Sequence, residues 1–418
     1  MEALVECSAG LDVHRDTVVA TIRRREGARE RLETRTFETY PDDLRRLAKW
    51  LKESGVQISG IESTGVYFKP VERELRRAEL TVWVVNAAHA KQVPGRKTDV
   101  SDSAWLSKLV MHGLVRPSFI PDEHLEGLRM LTRERVRAVH ERTRAKNRVI
   151  KLLEANGIKL ASVCSDVLGK TGRAILRALL GGQMSPSQMA DLALGHLRSK
   201  RDLLERALEV RLGADAIWLL SELLAAFEQI EQRIERFDAR IQQSLSRYSD
   251  DVQLLRQIPG LDTTSIAAVL AESGVDMSIF ASGKHLSSWA GLAPGSNQSA
   301  GKAKPARVRL GNPWIRTILV QIAWVVARSR KSPWRGAFAR IARQTGSAKK
   351  AAMAVARKIL LTVYHVLKSR QYTPAAPPAP SEPERRSRTR RAVATLTELG
   401  YRVTLDPIDA HTPTPATT

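Results

Sequence analysis

Lys97 to Leu109 reads KTDVSDSAWLSKL, with Asp99 and Asp102 three residues apart at a predicted helix start. Residues i and i+3 share a helical face, so both carboxylates would point the same way. Acids are also favoured at a helix N-terminus by the macrodipole alone. The choice depends on whether more carboxylates arrive from elsewhere. Asp12 in AGLDVH and Glu62 in GIESTG each end a β-type run. If these four acids met in one cleft, each close pair would repel by about 4 kcal/mol at an intermediate dielectric. Protons or cations would have to neutralise them, and hard oxygen donors select Mg²⁺ or Mn²⁺. Two such ions can polarise a scissile phosphate and activate an attacking oxygen. The alternative is surface acids at strand ends and a helix start.

The second chemical stretch is WAGLAPGSNQSAGKAKPARVRLGNPWIR, Trp289 to Arg316. It is rich in Gly, Ser and Asn, then basic through Lys302, Lys304, Arg307, Arg309 and Arg316. Such a loop can approach a phosphate backbone, and its cations can stabilise charge on phosphorus. Ser296 and Ser299 are both candidate nucleophiles, although loop serines are commonly turn or cap residues. No histidine adjoins them and no motif positions His285, which argues against a Ser-His-Asp hydrolase. LGKTG at Leu168–Gly172 resembles the end of a phosphate-binding loop. The glycine that motif requires is Cys164 here, so nucleotide binding is rejected.

The elements that must position these groups are legible along the chain. VECSAGLDV, DTVVATIRR and RLETRTFET read as three strands, and PDDLRRLAKWLKESG as a helix with both stop signals. VQISGIEST is a strand, VYFKPVERELRRAE a helix with Pro70 in its first turn, and LTVWVVNA a buried strand. The Asp99–Asp102 helix follows, ending near Gly113. The order β-β-β-α-β-α-β-α is that of an RNase H-like domain, in which strands one and four lie side by side. Asp12, Glu62, Asp99 and Asp102 would then share one cleft.

Residues 122–157 predict one long helix. Arg133, Arg137, Arg144 and Arg148 fall near one face, with few compensating acids between Arg129 and Lys151. That favours a phosphate-binding ridge over a merely solvated face. Leu220, Leu223, Phe227, Ile230, Ile234, Phe237 and Ile241 follow a 3,4 alternation, a heptad seam. It reads either as a dimerising coiled coil or as a helix on its own core. Residues 250–370 predict a compact helical domain. Its LLRQIPGLDTTSIAAVLAESG resembles a helix-hairpin-helix, with Asp262 where a second glycine usually stands, so packing is its expected role.

Composition narrows the class. Sixty-seven Lys and Arg against 44 Asp and Glu give a formal charge of +23, which points to nucleic acid. The two cysteines, Cys7 and Cys164, exclude a disulfide framework and fit a reducing compartment. The N-terminus lacks a signal-peptide layout, and ILVQIAWVVA is too short to span a bilayer. A soluble, cytoplasmic protein is expected. Eight of nineteen prolines lie after Arg370, with the basic run ERRSRTRR, so this tail is expected to be mostly disordered.

The set GLDVH, GIESTGVY, KTDVSDSAWL and AGLAPGSNQSAGK…RLGNPWIR resembles the DEDD-type insertion-sequence transposases, whose N-terminal domain looks like the junction resolvase RuvC. The resemblance covers most of residues 5–370. It implies a RuvC-like, RNase H-like domain over 1–118, a basic helix and coiled-coil linker over 119–250, a mainly α transposase domain over 251–370, and the Pro-rich tail over 371–418. Asp12, Glu62, Asp99 and Asp102 match the family's four acidic metal ligands. Ser299, in QSAGK, matches the serine that attacks DNA, in a stretch where the family often has Ser-Ser-Gly. It further implies Mg²⁺ or Mn²⁺, homo-oligomers (dimer or tetramer) through the coiled coil, and active sites composed from different subunits. Many members are guided by a structured RNA. Competing readings are a junction-resolving nuclease using the acids alone, a DNA invertase, and a non-catalytic nucleic-acid binder.

Overall fold

The computed structural model describes residues 3–27, 29–63, 65–87, 90, 93, 101–295, 298–299, 302–303, 311–330, 332–373 and 382–405. Asp99, Ser296, Lys304, Arg307 and Arg309 lie outside them, and only the backbone of Ser299 and Lys302 is described.

The N-terminal part is a mixed α/β layer. Strands β1 (Cys7–Val13), β2 (Thr17–Glu26), β3 (Arg29–Glu38), β4 (Ile58–Glu62) and β5 (Val82–Val85) form one sheet in the order β3-β2-β1-β4-β5. The β1–β2 and β2–β3 pairs are antiparallel; β1–β4 and β4–β5 are parallel. Alternation along the strands divides the two faces. Ala9, Leu11, Val18, Ala20, Ile22 and Ile61 form a core with helices α1 (Pro41–Glu53) and α2 (Phe68–Arg77). Ser8, Gly10 and Gly60 face the other way, under α3 (Asp102–Met111).

Over β1 and β2 the underside of α3 is small and polar, whereas Leu106 and Val110 pack over Gly60 of β4. The Ser8 hydroxyl donates to the Ser107 carbonyl at 3.0 Å, and the Thr21 and Ser103 hydroxyls share a 2.7 Å bond. Buried Arg23 donates to the Ser107 hydroxyl and the Ala104 carbonyl and pairs with Glu30. A Cβ added at Gly10 would lie 2.0 Å from the Ser103 carbonyl oxygen and 2.4 Å from the Ser107 nitrogen. Both are backbone atoms, so no rotamer change relieves the clash. Gly10→Ala is therefore expected to destabilise the fold by about 3 kcal/mol, read as a lower denaturant midpoint; an unchanged midpoint would mean that α3 does not lie on β1 this closely.

The remainder is mostly helical. The Asp122 carboxylate caps α4 (Glu123–Ala155) by accepting from the Leu125 N–H at 2.8 Å. Helices α5 (Leu160–Val163), α6 (Lys170–Gly181), α7 (Pro186–Asp191) and α8 (Arg201–Ala207) lead to α9 (Ala214–Leu245). His124 bonds the Ser244 carbonyl, Arg135 pairs with Asp238 and Glu141 with Arg233, so α4 and α9 run antiparallel. The heptad residues Leu220, Phe227, Ile234 and Ile241 are buried, and Leu223, Ile230 and Phe237 pack against the same cores. This apolar face is covered within one chain, where α4 brings Ala145, Val149 and Leu153 into the core shared with Leu220 and Phe227.

The C-terminal core gathers α10 (Ser249–Arg256), α11 (Thr263–Ser273), α12 (Gly283–Trp289), α13 (Pro313–Arg328), α14 (Trp334–Thr345) and α15 (Ala348–Ser369). It also takes in Leu125 and Leu128 of α4 and Ile241 and Leu245 of α9. Asp262, the departure from a helix-hairpin-helix glycine, caps α11: its carboxylate accepts from the Ser265 N–H at 2.8 Å, and the Ser265 hydroxyl oxygen accepts from the Asp262 N–H at 2.8 Å, a capping box. In the tail, Glu382–Glu398 is helical (α16) where composition predicts disorder. No proline or glycine interrupts the chain from Glu384 to Leu399, and most of the described side chains there are exposed. Among the described residues no helix is long and apolar enough to cross a membrane.

Candidate active site and nucleic-acid interface

The parallel β1–β4 register pairs Leu11 with Ile61. Asp12 and Glu62 follow these residues directly, so they occupy the next rung at the C-terminal ends of adjacent central strands. Alternation puts them on the face of Gly10 and Gly60, under α3. Ser107 lies over Ser8 and Gly10, and Ser103 over Gly10 and Thr21, so α3 runs antiparallel to β1. Its N-terminus, with Asp102 as first residue, therefore points toward the Asp12 end of β1. Ser101 caps this helix by accepting from the Ala104 N–H at 3.3 Å. Asp12 is 32% exposed, and His14 Nε2 lies 3.3 Å from its Oδ2. Asp102 is exposed and Glu62 half-buried. The three described acids share one edge of the layer. Among the described residues no group of three or more His, Cys, Asp or Glu side chains is close enough to hold a metal ion.

The serine loop begins and ends at one place. The Asn312 N–H donates to the Trp289 carbonyl at 3.0 Å. A Cβ at Gly311 would lie 2.3 Å from the Gly291 nitrogen, so only glycine allows this approach. The Asn312 side chain caps α13, accepting from the Trp314 and Ile315 N–H groups at 2.9 and 3.3 Å. Between these ends β6 (Gln298–Ser299) pairs antiparallel with β7 (Lys302–Ala303), with Ser299 opposite Lys302. Arg316 is half-buried in the first turn of α13.

The arginines of α4 divide into two groups. Arg133 gives Nε and Nη2 to the two carboxylate oxygens of Glu272, both at 2.8 Å. Arg129 donates to the Ala271 and Glu272 carbonyls, and burial pushes its guanidinium below the ordinary value while Glu272 opposes that shift. Arg137 pairs with Glu134 and lies 5.8 Å from the Trp314 ring centroid. Arg144 and Arg148 are exposed and make no ion pair among the described residues. Near the start of α4, Glu126 receives Lys69 and Arg73 of α2 at 2.8 and 2.6 Å. Burial raises its pKa, but these two cations outweigh burial and hold it below the ordinary value. Glu272, Asn312 and Trp314 were not singled out from sequence. The available signal was a lone glutamate closing the apolar run IAAVLAE.

An α/β layer with acids at its strand ends, joined to a basic helix and a closed Ser/Lys/Arg loop, has the parts of an enzyme acting on DNA. Residues 9–156 match a family model described as a transposase of the DEDD IS110 type. Residues 252–340 match a second, described as "Transposase IS116/IS110/IS902 family". The protein is a DNA transposase. It belongs to the IS110-type family, to which the two matched regions together assign more than half of the chain. It is also 27% identical over 327 residues, 71% of this chain and 78% of the relative, to "Mini-circle putative transposase for IS117" of Streptomyces coelicolor.

Proposed function

We propose that this transposase cuts and joins DNA through Ser299, assisted by a divalent cation at Asp12, Glu62, Asp99 and Asp102. The observation that carries the reading is the placement of Asp12 and Glu62 on one rung of adjacent parallel strands, with the N-terminus of α3 directed to the same edge. The strand order favours an RNase H-like, RuvC-like domain over residues 1–118, followed by the linker to 250, the transposase domain to 370 and the tail. The donor set is all carboxylate oxygen, which suits Mg²⁺ or Mn²⁺. A cation there would supply positive charge against a phosphate oxygen.

The Ser299 oxygen forms a bond to phosphorus and passes its proton to a base. The phosphodiester P–O bond to one deoxyribose breaks, and that oxygen leaves as a hydroxyl after taking up a proton. The phosphodiester is thus conserved as a phosphoserine link. A DNA hydroxyl then attacks it, restoring serine and completing strand exchange. The lysines and arginines of the loop, Lys302, Lys304, Arg307, Arg309 and Arg316, balance charge on the phosphate. Homo-oligomers and a guide RNA extend this reading. Because the heptad face is covered within the chain, an oligomer would use other surfaces of the α4–α9 pair or open it.

DNA carrying the element ends, incubated with Mg²⁺, should give a covalent protein–DNA adduct that a chelator prevents. Cleavage without an adduct would reject the serine chemistry and favour a hydrolytic nuclease. For binding, Arg144 and Arg148 are the ridge arginines with no ion pair among the described residues, and Arg133 is engaged with Glu272. The double change Arg144→Gln, Arg148→Gln is expected to flatten the salt dependence of DNA affinity by about two units of log–log slope. An unchanged slope would remove this face from the interface.

A further inference from the structure

We propose that Glu272 is a positioning residue that ties the base of the serine loop to the basic helix. The link to catalysis rests on the Ser299 reading above; the tie itself does not. Glu272 is only 2% exposed and follows the buried apolar residues Ile266, Ala267, Val269, Leu270 and Ala271 in α11. A lone carboxylate there is costly unless paired. Its Oε1 accepts from Arg133 Nε at 2.8 Å, and its Oε2 from Arg133 Nη2 at 2.8 Å and from Asn312 Nδ2 at 2.6 Å. Arg129 Nε adds a third charge contact at 3.6 Å.

Asn312 is the point where this matters. Its backbone N–H closes the loop on Trp289, its side-chain oxygen caps α13, and its side-chain amide nitrogen is held by Glu272. One residue therefore fixes where the loop leaves the core and where α13 begins. Arg133 extends the tie to α4, and its guanidinium also lies 5.1 Å from the ring centroid of Trp314, two residues after Asn312. α4 then continues to the exposed Arg144 and Arg148. A phosphate backbone held on that ridge would be in fixed register with the loop. Packing alone would be served by an apolar residue at position 272; the three polar partners require a carboxylate.

The test uses the full-length protein, with Glu272→Gln and Asn312→Ser. Serine is a good helix N-cap, so Asn312→Ser keeps the start of α13 and removes only the amide that reaches Glu272. Hydrogen exchange over residues 290–295 and 311–316 should accelerate by about tenfold in both variants, consistent with a local opening. Adduct formation should slow by about 10²-fold. Melting temperature and DNA affinity of Asn312→Ser should stay at the parent values. Unchanged exchange in Asn312→Ser would overturn the proposal. So would parallel losses of melting temperature, DNA affinity and adduct, which mark a packing role. Faster exchange in the variants, with no adduct even from the parent protein, would support the tie and reject the serine reading.

Discussion

Ser299→Ala is expected to abolish the covalent protein–DNA adduct and to lower strand exchange by at least about 10³-fold. The argument is chemical. A nucleophile that stores the phosphodiester energy in a protein–phosphate bond has no substitute when its oxygen is removed. A water-using enzyme with the same acids would keep cutting. Backbone geometry makes the change selective. Ser299 lies in β6 opposite Lys302, in a loop that closes where the Asn312 N–H meets the Trp289 carbonyl. Alanine at that position removes one oxygen and should leave melting unchanged. Ser296→Ala is the matched control, because both serines stand in the same loop. Labelled DNA on a denaturing gel reads the outcome. An adduct that persists in Ser299→Ala and disappears in Ser296→Ala would transfer the role to Ser296. An adduct absent from the parent protein under cleaving conditions would end the serine mechanism altogether.

What was legible in the sequence was local. Period-two alternation around Leu11 and Ile61 and the turn and cap residues of the first helices convey the order of strands and helices. They also place Asp12 and Glu62 at strand ends. The long helix read as 122–157 is Glu123–Ala155 because Asp122 is a strong cap and no proline follows for a long stretch. What was not legible depended on distant partners. Four arginines on one face of α4 look equivalent in sequence. Arg133 differs from Arg148 because Glu272, 139 residues away, and the Trp314 ring take its guanidinium. Likewise, the heptad spacing in α9 states which face is apolar but not which helix covers it. The closeness of α3 to the sheet had a faint signal in Gly10, Gly60, Ser103 and Ser107, small residues at matched places. Nothing local distinguishes such a contact from glycines in a loosely packed strand.

Asp12→Asn and Glu62→Gln are expected to lower DNA cleavage by at least about 10³-fold. Both changes preserve shape and remove one negative charge, so their effects should be electrostatic rather than steric. This predicts opposite signs in two measurements. On the shared-site reading, the acids at this edge repel one another without a divalent cation, and removing one should raise the melting temperature or leave it unchanged. With Mg²⁺ or Mn²⁺, the parent should gain stability as RT ln(1 + [L]/Kd), and the variants should lose that gain. Asp102→Asn should behave likewise, with one difference: Asp102 begins α3 and also interacts favourably with the helix dipole. Its loss should therefore cost a few tenths of a kcal/mol even without metal, offsetting the relief of repulsion. Ordinary surface acids would show neither the metal-dependent gain nor its loss, and cleavage would survive. Retained cleavage in any two of the three variants would reject the carboxylate site, because a shared cation could not tolerate losing a ligand at two independent positions on β1, β4 or α3.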